Sequence, residues 1–258
     1  VINLPSHRLP GLVRWFPVGA PGSGALTEHV LTTEAGRWWV DRVIQPRVIA
    51  AECGDHIVLL GDPQALTPQD LAHFAHRYIE APGRFRPLIG AAFDRVVPWQ
   101  RTVYVKRTTE PAAPRPRGIT LRRLTAQDAR ALRTLPHAMH RIHRTWGGPD
   151  ALARSGYAWA AFRGGRIVAV ACTYFLGTAY EDIACVTVPD PRLQHLALAC
   201  VDALCSDIAT RRRTPSWTCS AGNRAGRLLA SSAGFRAERE YGHYAVGAPA
   251  ATGRAAAG

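Results

Sequence analysis

Apolar residues along the chain gather in short runs of strand length, interrupted by Pro and Gly, with fewer runs at helical spacing between them. "GRWWVDRVIQPRVIAAECGDHIVLLGD" (36–62) breaks at Pro46 and Gly54 and predicts two or three antiparallel strands, with turns at "QP" and "CGD". "TPQDLAHFAHRYIEA" (67–81) predicts a helix: Thr67 caps, Pro68 takes the first helical position, and Leu71, Phe74, Ala75 and Tyr78 share a face. "RTVYVKR" adds a strand.

The second half predicts strand, helix, strands, helix, strand, helix, strand. "ITLRRL" leads into "TAQDARALRTL", a helix capped by Thr125. "YAWAAF", the tight "RGG" turn and "RIVAVACTYFL" form a hairpin. "EDIACVTV" is mostly apolar, as expected of a strand covered on both faces. In "VPDPRLQHLALACVDAL" (188–204) Asp190 caps and Pro191 opens a helix whose buried face is Leu193, Leu196, Ala197, Cys200 and Leu204. "SWTCS" is a short strand, "NRAGRLLASSAGF" a helix capped by Asn223 and stopped by Gly234, and "FRAEREYGHYAV" a last strand.

Between the halves lies "TTEPAAPRPRG" (108–118), in which three prolines make a stiff extended linker. The expected organisation is a two-domain α/β protein with α+β mixed sheet: an N-terminal unit at 1–107, the linker at 108–118, a second unit at 119–247, and a disordered tail at 248–258.

The net charge of +13 invites a nucleic-acid partner, but Lys106 is the only lysine among 32 basic residues. That arginine skew, with abundant Ala, Gly and Pro, marks coding bias, and the one basic run, Arg211–Arg213, follows a predicted helix. An anionic small ligand is the more economical use of the positive potential, and nucleic acid is not expected as the main partner. No stretch approaches the roughly 20 apolar residues that span a bilayer, and "VINLPSHRLPGLVRWF" lacks the apolar core of a signal peptide. A cytoplasmic protein is expected, with no membrane partner. Cys53, Cys172, Cys185, Cys200, Cys205 and Cys219 form no CxxC pair and sit in apolar contexts, so free buried thiols are expected. "HAMHRIH" sets His137, His140 and His143 three apart without a carboxylate nearby, a solvated face and no metal site.

Three stretches together resemble the GNAT superfamily of acyl-CoA-dependent N-acyltransferases. "ITLRRLTAQDARAL" (119–132) is similar to its opening strand and helix, and "EDIACVTVPDPRLQHLALACVDAL" (181–204) to its cofactor-binding strand, pyrophosphate loop and helix. "WTCSAGNRAGRLLASSAGF" (217–235) is similar to its strand and Asn-led helix ending in Gly-Phe. The 36–62 stretch resembles a subgroup with an extra N-terminal α/β domain, described as GNAT acetyltransferase, so the likeness covers nearly the whole chain.

The resemblance implies transfer of an acetyl or other short acyl group from acyl-CoA, acetyl-CoA above all, to a primary amine of a small molecule or peptide by direct attack. The backbone of Val186, Thr187 and Val188 would pair with the pantetheine arm, and the amides of Arg192, Leu193, Gln194, His195, Leu196 and Ala197 would wrap the pyrophosphate, with Asn223 near the thiol. A carboxylate at the start of the strand would take the proton from the amine: Glu181 or Asp182, which point to opposite faces. A strand-end carboxylate paired with arginine is the plainer alternative. His140, His143 and Trp146 would line the acceptor cleft.

Two departures stand out. The family writes its loop as Arg/Gln-x-x-Gly-x-Gly/Ala, and His195 occupies the first glycine position, where a left-handed backbone and close approach to phosphate favour glycine. The tyrosine that many members place four residues before the Gly-Phe glycine, to protonate the departing thiolate, is Ala230. Both fit an alternative of another class, a catalytically degenerate GNAT-fold binding or regulatory module.

Overall fold

The structure is a computed structural model that describes residues 1–5, 15–108, 118–189 and 195–250. Among the described residues twelve strands hydrogen-bond into one mixed sheet in the order β1-β2-β3-β4-β5-β12-β6-β11-β10-β9-β8-β7. The first half supplies β1 (Ile2–Leu4), β2 (Arg37–Val40), β3 (Val48–Cys53), β4 (His56–Gly61), β5 (Tyr78–Glu80) and β6 (Val96–Val105). The second supplies β7 (Thr120–Arg123), β8 (Ala158–Arg163), β9 (Arg166–Leu176), β10 (Tyr180–Thr187), β11 (Thr214–Ser220) and β12 (Arg236–Val246). Only β4 with β5 and β10 with β11 run parallel among these neighbours.

The expected linker falls between β6 and β7, with residues 109–117 outside the described residues. Hydrogen bonding nevertheless runs unbroken between the halves. β6 lies between β12 and β11, pairing Trp99 with His243 on one side and Thr102 with Cys219 on the other.

Helices cover both faces, as a sheet buried on both sides requires. α1 (Ser23–Thr33), α3 (Ala129–Arg133), α4 (Pro149–Ser155) and a 3-10 segment, His137–Trp146, pack on one face. α2 (Arg86–Ala92), α5 (Leu196–Thr210) and α6 (Arg224–Ser232) pack on the other. Buried His29 of α1 ties that helix to the second half. Its Nδ1 accepts from the Leu176 amide at 3.0 Å, so Nε2 carries the proton and donates to the Thr145 carbonyl at 2.8 Å.

The hairpins of 36–62 and 158–176 form as the patterning predicts, as do the strands over 120–123, 180–187, 214–220 and 236–246. Thr67 and Thr125 close capping boxes with Asp70 and Asp128, and the Asn223 side chain caps α6 by accepting from the Gly226 amide.

Three expectations are corrected. The helix over 67–81 is a 3-10 helix, Pro68–Phe74, that gives way to β5, because Tyr78–Glu80 pair with β4 and β12. Sheet pairing there overrides a helical pattern only two turns long. The helix expected from Pro191 starts at Leu196 with His195 as its cap and runs on to Thr210; Asp190, Pro191 and Leu193 lie outside the described residues. The tail expected from residue 248 is ordered at first, since Pro249 bridges Phe93 and the Ala250 amide donates to the Ala92 carbonyl.

Candidate functional site

β10 and β11 run side by side only from Tyr180 opposite Thr214 to Ile183 opposite Trp217. Beyond that point each strand follows its outer neighbour, β10 pairing with β9 as far as Thr187 and β11 with β6 as far as Ser220. The two strands therefore open into a wedge in the middle of the sheet. The Val188 amide donates to Val168 on β9. By strand alternation, the backbone groups of Cys185 and Thr187 face the other way, into the opening. The N-terminus of α5 stands beside it, as Cys185 Sγ lies 3.9 Å from the Ala197 carbonyl, and the first helical amides have no partner within the helix.

Asp182 sits at the root of the wedge. It is buried, and one carboxylate oxygen accepts from Ser216 Oγ and Thr218 Oγ1, both at 3.0 Å. Burial raises its pKa to about 6, against the pull of those two hydroxyls and of Arg101 and Arg239. Glu181, its neighbour, points to the opposite face and has no exposure. It accepts from Thr173, from Arg211 Nε at 2.8 Å and Nη2 at 2.9 Å, and from Arg213 at 3.2 Å. Of the two candidate bases, only Asp182 borders the cleft.

That cleft, of about 360 Å³, lies on the face bearing α1 and is lined by both halves of the chain. One wall is a run of rings on β4, β5, β6 and β12. His243 stacks on Tyr78 with centroids 5.5 Å apart and planes at 19°, and Trp99 lies 5.5 Å from Tyr78 and 5.7 Å from His243. His56 joins the run 5.5 Å from Tyr78. Burial, then the charge of Arg101, holds both His56 and His243 neutral, with pKa values near 3. Glu80 accepts from Ser23 Oγ at 2.8 Å, and burial pushes its carboxyl up. Arg101 donates to the Thr218 carbonyl at 3.1 Å.

His195 adopts φ −87° and ψ −8°, an ordinary right-handed conformation, and is exposed. The left-handed backbone that favours glycine is not used here, so histidine is accommodated without strain. Leu196 and Ala197 begin α5, whereas Arg192, Leu193 and Gln194 lie outside the described residues. Asn223 borders the cleft, beyond the end of β11. Val186 packs into the core beneath the 3-10 segment, with Thr187 and Val188 continuing the β9 pairing.

The acceptor residues expected in 137–146 need correction. Trp146 is buried, stacked on Tyr157, and donates to the Thr173 carbonyl at 2.8 Å. His140 bonds the Leu135 carbonyl at 2.8 Å, and neither it nor His143 borders the cleft. The turn of this segment brings Arg141 and Arg144 there instead. Ala230 is packed in the core under α5. The residues that sequence reasoning missed are Tyr78, Glu80, Trp99, Arg101, Tyr241 and His243. Their signal was alternation: Trp99 and Arg101, and Tyr241 and His243, recur at two-residue spacing on one sheet face.

A parallel pair that splays beside a helix N-terminus fits the acyltransferases of the GNAT type, which the strand and helix of 181–204 resemble. The GNAT acetyltransferase family model matches residues 22–244, and the chain belongs to that family. It is 54% identical over 213 residues to an uncharacterized N-acetyltransferase from the mutA 5′ region of Streptomyces virginiae, an alignment covering 82% of this chain and 90% of that one. Among solved structures, a GCN5-related N-acetyltransferase-like protein from Streptococcus suis superposes with a TM-score of 0.72 at 18% identity, over 93% of this chain and 99% of the other. A GNAT-family acetyltransferase from Colwellia psychrerythraea gives 0.61 at 13% identity, over 95% and 98%. The protein is an acyltransferase. No helix among the described residues is long and apolar enough to cross a membrane.

Proposed function

We propose that the enzyme transfers an acetyl or other short acyl group from acyl-CoA to a primary amine by direct attack, with Asp182 receiving the amine's proton. The observation behind this reading is the wedge between β10 and β11 with Asp182 at its root. Bound acyl-CoA supplies the reactive thioester. Cys185 and Thr187 turn backbone groups that are unpaired among the described residues toward the opening, where an extended arm would add to β10 as a strand does. The amides at the start of α5, including Leu196 and Ala197, would meet a pyrophosphate with the positive end of the helix dipole. Asn223 holds the rim nearest α6.

An attacking amine must be neutral, and a carboxylate whose pKa lies near 6 is a competent proton acceptor at neutral pH. The 1–107 half forms the acceptor side of the cleft through His56, Tyr78, Glu80, Trp99 and Arg101. The six cysteines are all free thiols, which suits a reducing compartment, and the reading sets the enzyme in the cytoplasm.

The competing reading is a binding module without catalysis, favoured by the apolar burial of Ala230, where a thiolate-protonating side chain is absent. Calorimetric titration with acetyl-CoA and an assay of thiol release with an amine panel separate the two. Binding with amine-dependent release supports the enzyme, and binding without release supports the module. Asp182→Asn is expected to lower kcat by about 10²-fold or more while leaving acetyl-CoA affinity in place. The wild-type rate should rise with pH through about 6, as Asp182 ionises.

A further inference from the structure

Two polar groups in the cleft are left without partners by the protein's own side chains. Among the described residues Arg101 forms no ion pair and its one hydrogen bond is to the Thr218 carbonyl, and its Nε is buried and unpartnered. His243 is 3% exposed and its Nε2 is likewise buried without a partner. The two occupy one sheet face: Arg101 pairs across the strands with Tyr241, and His243 with Trp99, one repeat further along the same two strands. A half-buried cation beside an unpartnered ring nitrogen, both bordering a cavity, is a site for an anionic oxygen group. Glu80 and Asp182 line the same cleft, both within the field of Arg101, and suit an ammonium or amine. Acid and base thus face a space sized for a small molecule, with the Tyr78 and Trp99 rings offering apolar surface for its body.

We propose that the acceptor is a compact amino carboxylate, an α-amino acid, whose carboxylate docks on Arg101 and His243 while its amine lies toward Asp182. This rests on the acyl-transfer reading above and narrows its acceptor. A plain amine would leave the Arg101 Nε and the His243 nitrogen unpaired inside a filled cleft, and a polyamine would bring a second ammonium against Arg101.

The test compares phenylalanine with phenylalaninamide and phenethylamine, and leucine with isopentylamine. Binding to the protein without donor is read by calorimetry, and kcat/KM by thiol release from acetyl-CoA. The free amino acid should be favoured by about tenfold or more in both measurements, because the site's buried polar groups go unpaired with the analogues. Arg101→Gln should bring the ratio to within about threefold, and His243→Phe, which keeps the ring stack and removes the nitrogen, should lower it part of the way. Thermal melts and acetyl-CoA binding establish that each variant is folded. Equal or better binding of the amide and amine, binding of none of the compounds, or folded variants with an unchanged ratio would each overturn the proposal. The donor-free arm keeps this outcome separate from a failure of acyl transfer. Amino acid binding with no thiol release would uphold the carboxylate site and reject the transfer reading.

Discussion

Glu181 and Asp182 are adjacent, both acidic, and meet opposite fates because consecutive strand residues face opposite sides of the sheet. Glu181 is locked between Arg211 and Arg213 with no exposure, and Arg211 continues the chain of charges to Asp207 and Arg123. Removing one partner of such a buried pair strands the other charge. Glu181→Gln should therefore lower stability by about 3 kcal/mol, read by denaturant unfolding, with acetyl-CoA affinity retained in the folded protein. Were Glu181 the proton acceptor instead, its loss would cut kcat without that stability change. The sequence left the two carboxylates equal, since strand direction is legible but which face meets a cleft depends on distant chain. His195 carries a second residue-scale expectation. Its backbone is right-handed and its side chain exposed, so His195→Gly should change acetyl-CoA affinity by no more than about threefold in calorimetry.

At the scale of elements, α1 was invisible in the patterning, and the reason is its burial. Gly24 through Val30 are all buried, including Thr27, Glu28 and His29, so no polar face marks the helical period. The capped helices and alternating strands were legible because each announces itself locally. The 67–81 stretch misled because its helical spacing ended where two strands claimed Tyr78–Glu80. His29 gives α1 a measurable role. Burial holds its pKa at about 4, below the usual value of 6.5. Between those values the unfolded chain takes up a proton that the folded one does not, so stability falls as pH drops from about 6.5 to about 4. The shift corresponds to roughly 3 kcal/mol by the standard conversion of pKa to free energy. Equilibrium unfolding across that range should show His29→Gln flattening the slope while lowering stability at pH 7.

For the whole molecule, the proline-rich stretch suggested two separable units, whereas β6 lies between two strands of the second half. A strand's partners across such a sequence distance are not written in its own residues. Without β6, β11 would lose its neighbour from Arg101 to Val105, and β12 its partner along ten residues of β6. Residues 119–258 expressed alone should be insoluble or molten by near-ultraviolet circular dichroism, and co-expression with residues 1–108 should restore a folded complex. A C-terminal fragment with a cooperative melt on its own would contradict this. The cleft obeys the same logic: its wall of rings draws on β4, β5 and β6 of the first half as well as β12, so the half with the recognisable motifs supplies only part of its lining.

The wedge between β10 and β11 leaves β10 beyond Ile183 an interior edge that no described strand pairs. An extended donor arm would pair with that edge from outside the chain, joining the sheet as a strand does. The amides of Cys185 and Thr187 then become reporters: they should exchange with deuterium readily in the free protein and slow once acetyl-CoA is added. The melting temperature should climb with the logarithm of donor concentration above its dissociation constant, as binding and folding become one equilibrium.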